Sequence, residues 1–161
     1  MISSRGRDVT HTQWHTKLRK TLATAGREPA RALKSLERLL HQVQSDARKT
    51  VGDWHVEQTL EAISILQSHV EDHRHSAETM IRVADRHAQQ SSYYQRAYVS
   101  ACAAAALELA AAGDRSGAAR ELRRATPVAA DLNPQDKLFR RAQTTVAAMP
   151  RRRSTIFRRT S

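Results

Sequence analysis

"AAALELAAAGDRSGAARELRRA", residues 104–125, contains nine alanines in 22 positions and one break, at Gly113-Asp114. Upstream of the break, Cys102, Ala105, Ala106 and Leu109 recur on one face of a 3.6-residue period, and downstream Ala118, Leu122 and Ala125 do the same. Gly-Asp between them supplies a helix stop followed by a start, so the stretch predicts an antiparallel helical hairpin. The alanines then have a physical use. Helix axes that approach to the short end of about 8–10 Å need small side chains where they cross. Ala105, Ala106, Ala118 and Ala125 are expected at those crossings. The competing account is that alanine, the strongest helix former, fills positions that packing leaves free.

The rest of the chain is punctuated in the same way. Trp14, Leu18, Leu22 and Ala25 form one apolar series, which Gly26 ends; Pro29 suits the first turn of a second helix carrying Ala32, Leu33, Leu36, Leu39, Leu40 and Val43. Gly52 with Asp53 as N-cap opens a third, with Val56, Leu60, Ile63, Ile65, Leu66 and Val70. After a polar turn, "EDHRH", a fourth bears Ala77, Met80, Ile81 and Ala84. Ser92 and Gln95 have capping-box spacing for a fifth helix running to Ala112. A sixth starts near Ser116 and is ended or kinked by Pro127, and Asn133-Pro134 opens a last helix to about Ala148.

With 161 residues, only 5 Gly and 4 Pro, and no alternating β-branched run, the chain predicts a single all-α domain of stacked antiparallel helical hairpins. Residues 1–10 are expected to be a flexible segment, 11–149 the helical domain, and 150–161 a disordered basic tail. No apolar run approaches the length of a membrane span. Cys102 is the lone cysteine, which excludes an internal disulfide and suits a reducing, cytoplasmic setting. The start lacks the apolar core of a secretory signal; residues 1–24, with Asp8 their only acidic group, also admit a mitochondrial presequence.

The hairpin at 99–125 resembles the tetratricopeptide repeat, whose helices pair small residues at the crossing. Leu60, Ile63, Ser64 and Gln67 followed by Ala77, Ile81 and Ala84 form an earlier copy with one extra residue in its turn. Leu18 and Leu22 followed by Ala32, Leu36 and Leu39 form a third, with Arg19 where the family places a small residue. The copies are 45 residues apart from Ala32 to Ala77 and 41 from Ala77 to Ala118, longer than the family period, and the family's aromatic and glycine are absent. The resemblance implies about three repeats plus a C-terminal capping helix. It also implies a non-catalytic adaptor or assembly subunit, which takes a partner's peptide or helix along a groove of first-helix residues. By that carry-over the groove consists of Gln58, Glu61, Ala62, Ile65, Ser100, Ala103, Ala104, Leu107 and Ala111.

Charge suggests a second class of function. Residues 1–49 carry 11 basic and 4 acidic side chains, residues 50–119 carry 5 and 9, and residues 120–161 carry 11 and 3, giving net +7, −4 and +8. The basic ends, with Arg140, Arg141, Arg151, Arg152, Arg153, Arg158 and Arg159, could contact phosphates of nucleic acid. They could equally attach to an acidic protein or lipid surface, helped by Ile156 and Phe157, or simply solubilise the chain. Ser154 and Thr155, next to arginines, stand in a context that accepts phosphate. No Cys/His finger or base-stacking aromatic array accompanies these charges, so any nucleic-acid binding is expected to tolerate sequence.

A third class, a metal protein or enzyme, rests on the histidines. His11 and His15 stand i, i+4 around Trp14, and His69, His73 and His75 lie beside Glu71 and Asp72. Because the second group straddles a turn, solvated surface histidines are the expectation, with no metal and no cofactor; His55 is read as a surface or cap residue. Asp53, Glu57 and Glu61, one turn apart, read as a solvated face, or else as an acidic stripe for a basic ligand. No phosphate loop, nucleophile elbow or HExxH motif is present, so no catalytic residue is assigned. Cys102 is expected to be a buried, inert thiol.

Overall fold

In a computed structural model, residues 9–46, 51–90 and 92–150 are described. They form seven α-helices: α1 (His11–Ala25), α2 (Pro29–Gln44), α3 (Asp53–His69), α4 (His73–Ala88), α5 (Gln95–Ala111), α6 (Arg115–Ala130) and α7 (Lys137–Ala148), with a 3₁₀ turn at Ser92–Tyr94. No strand occurs among the described residues. Each helix packs on the next, α1 also touches α3, and α7 lies along α5. The architecture is a stack of hairpins, α1/α2, α3/α4 and α5/α6, ended by α7.

Two of the hairpins are equivalent residue for residue. Adding 42 to the bounds of α3 and α4, 53–69 and 73–88, returns those of α5 and α6, 95–111 and 115–130. The equivalence extends to the turns. In the first, Glu71 N–H donates to Ser68 O and Asp72 N–H to Gln67 O; in the second, Gly113 N–H donates to Ala110 O and Asp114 N–H to Leu109 O. Both are Schellman closures with a left-handed residue, Glu71 at φ 61° and Gly113 at φ 77°. Asp72 and Asp114 then cap the following helix by accepting from His75 N–H and Gly117 N–H. The extra turn residue expected in the earlier copy is therefore absent: Ser76, not Ala77, corresponds to Ala118.

Ser64 and Ser76 bond across the α3–α4 crossing with hydroxyl oxygens 2.8 Å apart. Their counterparts 42 residues on, Ala106 and Ala118, are fully buried, as are Ala105 and Ala125. These four alanines of the opening stretch are packing residues, as close helix approach requires.

Local details differ from expectation where a neighbour supplies the cap. Thr10 caps α1 in a capping box with Gln13. Gly52, not Asp53, is the N-cap of α3, and the His55 ring takes up its N–H. Ser92 makes no capping bond to α5, and Asp136 rather than Asn133 caps α7. Pro127 lies inside α6, which continues to Ala130. Of the first apolar series only Trp14 is buried; Leu22 is 41% exposed. Val9 is buried. The expected N-terminal segment up to residue 8, and the tail from 151, lie outside the described residues.

Candidate functional site

The first helices of the second and third hairpins, α3 and α5, flank a cleft of about 330 Å³ lined by Glu61, Ser64, Ile65, Ser68, Met80, Ala104 and Glu108. Ile65 is 67% exposed although it sits mid-helix on the most apolar stretch of α3. Helical spacing explains the lining. Glu61, Ile65 and Ser68 follow at i, i+4 and i+7 on α3, and Ala104 and Glu108 at i, i+4 on α5. Met80 enters from α4, where it is partly buried against the core.

Two carboxylates stand on opposite walls. Glu108 accepts from His73 Nδ1–H at 2.8 Å. Glu61 accepts from Gln58 Nε2 at 3.2 Å, and no cation lies within ion-pair distance of it among the described residues. Burial pushes the Glu61 carboxyl above its ordinary value, opposed by the charge of His87 and reinforced by that of Glu57.

Of the nine groove residues implied by the resemblance, the cleft collects Glu61, Ile65 and Ala104. Gln58 is half-buried beside it and Ala111 is exposed at the end of α5. Ala62 and Ala103 are buried in the core and present nothing to a partner. Ser100 donates to Asp136, the cap of α7, at 2.7 Å, and Leu107 packs partly against the core. The far side of α5 is thus closed by α7, and the open face is confined to the α3 side. Ser64, Ser68, Met80 and Glu108 also line the cleft, and none of them is among the groove residues implied by the resemblance. Ser68 and Glu108 could have been found from the helical stripes of Ile65 and Ala104, whereas Met80 belongs to a second helix that the resemblance leaves out of the groove.

The acidic residues of α3 do not form one solvated face. Asp53 is exposed and accepts from Arg86 at 2.6 Å, but Glu57 is only 2% exposed. The Gln90 amide donates to Glu57 at 2.5 Å, with Arg86 and His87 each 3.8 Å away. His87 stacks on Tyr94 with ring centres 5.6 Å apart. An uncompensated buried carboxylate is expensive, so these groups from the end of α4 accompany it.

Five of the eight histidines, His11, His15, His41, His69 and His75, are exposed. His69 ends α3, His73 bonds Glu108, and His75 donates to Asp72. His11 is exposed and has Nδ1 2.8 Å from His55 Nε2. Gly52 N–H donates to His55 Nδ1 at 3.0 Å, so the ring proton is on Nε2 and is given to His11. Trp14, Trp54 and His15 surround this pair, and Trp14 Nε1–H donates to Thr59 Oγ1 at 2.9 Å. Among the described residues no three His, Cys, Asp or Glu side chains converge as metal ligands.

Cys102 is fully buried, and burial pushes its thiol up to about 11. Arg140 and Arg141 are exposed on α7, Arg140 donating to Gln135 at 2.8 Å; Arg151, Arg152, Arg153, Arg158 and Arg159 lie outside the described residues. No described helix is long and apolar enough to cross a membrane. No known protein family matches the chain, and neither a curated protein nor a solved structure shows significant similarity to it.

Proposed function

We propose that the chain is a non-catalytic adaptor or assembly subunit, built from tetratricopeptide-like hairpins, that takes a segment of a partner protein in the cleft between α3 and α5. The observation that carries this reading is Ile65, two-thirds exposed beside Met80 and between Glu61 and Glu108. A large aliphatic group kept in water at the lip of a cleft is an anchor point for a partner's side chain. The gapless 42-residue equivalence of the two hairpins supports the repeat reading. A segment that suits the cleft carries an apolar anchor with a cation on either side.

Ile65→Asp tests this without disturbing the core, because the side chain is largely solvated. A partner retained from nuclease-treated extract by the parent chain and lost by Ile65→Asp supports the adaptor. Retention that nuclease abolishes, or that Ile65→Asp leaves unchanged, overturns it; the nuclease-sensitive result would favour phosphate contact through the arginines instead.

A further inference from the structure

The charged groups that line the α3–α5 cleft are the carboxylates of Glu61 and Glu108, and no lysine or arginine lines it. The imidazoles that act on them, His87 on Glu61 and His73 on Glu108, are not part of the lining. Ile65 and Met80 lie between the two walls. The complementary pattern occurs on α1 of the same chain. That helix has Lys17, Arg19 and Lys20 and no acidic residue. Leu22, like Ile65, is a large aliphatic group left exposed. Lys17 is engaged by Gln42 of α2. Arg19, one turn before Leu22, and Arg27, just past the end of α1, are both exposed and make no side-chain hydrogen bond or ion pair among the described residues. An apolar anchor with a guanidinium on either side is what the cleft suits, and arginine is the cation that pairs best with carboxylates.

The heights of the two surfaces match. Two hydrogen bonds tie α1 to α3, His11 to His55 and Trp14 to Thr59, across 44 and 45 positions. Both contacts advance in the same direction, so α1 and α3 run parallel. The same offset carries Leu22 to residues 66–67 of α3, within about 3 Å of the height of Ile65 at the helical rise per residue. The 42-residue equivalence of α3 and α5 carries that level on to Glu108. A two-fold rotation about an axis parallel to these helices leaves every height unchanged. It therefore brings Leu22 of one copy level with Ile65 of another, and the reverse.

We propose that the α3–α5 cleft takes α1 of a second copy of this chain, in a two-fold dimer in which Leu22 of each copy lies on Ile65 and Met80 of the other, with Arg19 toward Glu61 and Arg27 toward Glu108. The proposal rests on the reading of the cleft as a binding site and names its partner. Because the contact occurs twice in such a dimer, every substitution in it acts twice. Any other partner competes with the second copy for the same cleft.

Sedimentation of the full chain over roughly 5–500 μM, a range that spans weak dimerisation, is the first test. The expected result is a monomer–dimer equilibrium that Ile65→Asp and Leu22→Asp each weaken at least about tenfold and Arg19→Glu about threefold. Tyr93→Ala, at an exposed aromatic before α5, should leave it unchanged. All four positions are solvated, and circular dichroism checks that the variants fold. The second test locates the contact: the single variants Leu22→Cys and Ile65→Cys are mixed in a glutathione buffer and the disulfide product is mapped by peptide. Cys102 is buried with its thiol raised, and Lys34→Cys, exposed on α2, replaces Leu22→Cys in the reference mixture. The 22–65 link between copies should form about tenfold faster than the 34–65 link. A monomer at every concentration, a dimer that Ile65→Asp and Leu22→Asp leave intact, or equal rates for the two links would overturn the proposal. If the chain is monomeric while Ile65→Asp still loses an outside partner, self-pairing alone is wrong. Should that partner also persist in Ile65→Asp, the cleft is not a binding site.

Discussion

Ser64 and Ser76 meet across the α3–α4 crossing, oxygen to oxygen at 2.8 Å, at the positions that Ala106 and Ala118 occupy 42 residues later. Each serine also reaches the other's backbone carbonyl, Ser76 Oγ to Ser64 O at 3.0 Å and Ser64 Oγ to Ser76 O at 3.3 Å. Side-chain volume at this crossing matters more than polarity. The double variant Ser64→Ala/Ser76→Ala is expected to lie within about 1 kcal/mol of the parent, because no buried partner is orphaned. Ala118→Leu should cost about 1–3 kcal/mol through overpacking. Urea unfolding of the two variants decides it, and an unchanged midpoint for Ala118→Leu contradicts tight packing.

Glu71 holds a left-handed conformation, φ 61°, at the place where the equivalent turn has Gly113. A side chain there costs roughly 1–2 kcal/mol, offset in part by the entropy glycine loses on folding. Glu71→Gly is expected to raise stability by about 0.5–1 kcal/mol and Gly113→Ala to lower it by about 1 kcal/mol. Thermal unfolding of both variants should show shifts of opposite sign.

The His11–His55 pair makes part of the stability pH-dependent. His55 titrates below its ordinary value, first because burial disfavours the cation and then because His11 stands beside it. A depressed imidazole contributes stability above its unfolded value, about 6.5, and that contribution is lost as pH falls below it. His75, raised by its bond to Asp72, has the opposite sign: its contribution is present at low pH and lost as pH rises through the raised value. His55→Gln separates them, because glutamine can keep the bond to Gly52 N–H without titrating. Between pH 7 and pH 5 the unfolding midpoint, followed by Trp14 and Trp54 fluorescence, is expected to fall more in the parent than in His55→Gln. Parallel curves would remove the pair from the pH response.

Cys102, with its thiol pushed up to about 11 inside α5, should not react with a disulfide reagent at pH 8 while the chain is folded. One equivalent is expected to react at once in denaturant. Rapid labelling of the native chain would place the thiol at the surface and contradict the packing of α5.

Helix count and most helix limits could be read from the chain itself, because their causes are local. Gly113, Asp114, Pro29 and the Gly26 stop act within one turn, and apolar periodicity at 3.6 residues marks the buried face of α2 and of α6. Of the nine groove residues implied by the resemblance to the tetratricopeptide repeat, Glu61, Ile65 and Ala104 line the cleft. Other features involve residues far apart in sequence, and only tertiary packing brings them together. His11 meets His55 across 44 positions, Gln90 reaches Glu57 across 33, and Ser100 joins Asp136 across 36. Which faces of α3 and α5 are covered depends on where α4 and α7 come to rest. A helical period says that one side of a helix must be buried, not which neighbour buries it. The sequence therefore determined the helices and their small-residue crossings, while the tertiary structure decided that α7 closes one side of α5 and leaves the other open beside Ile65.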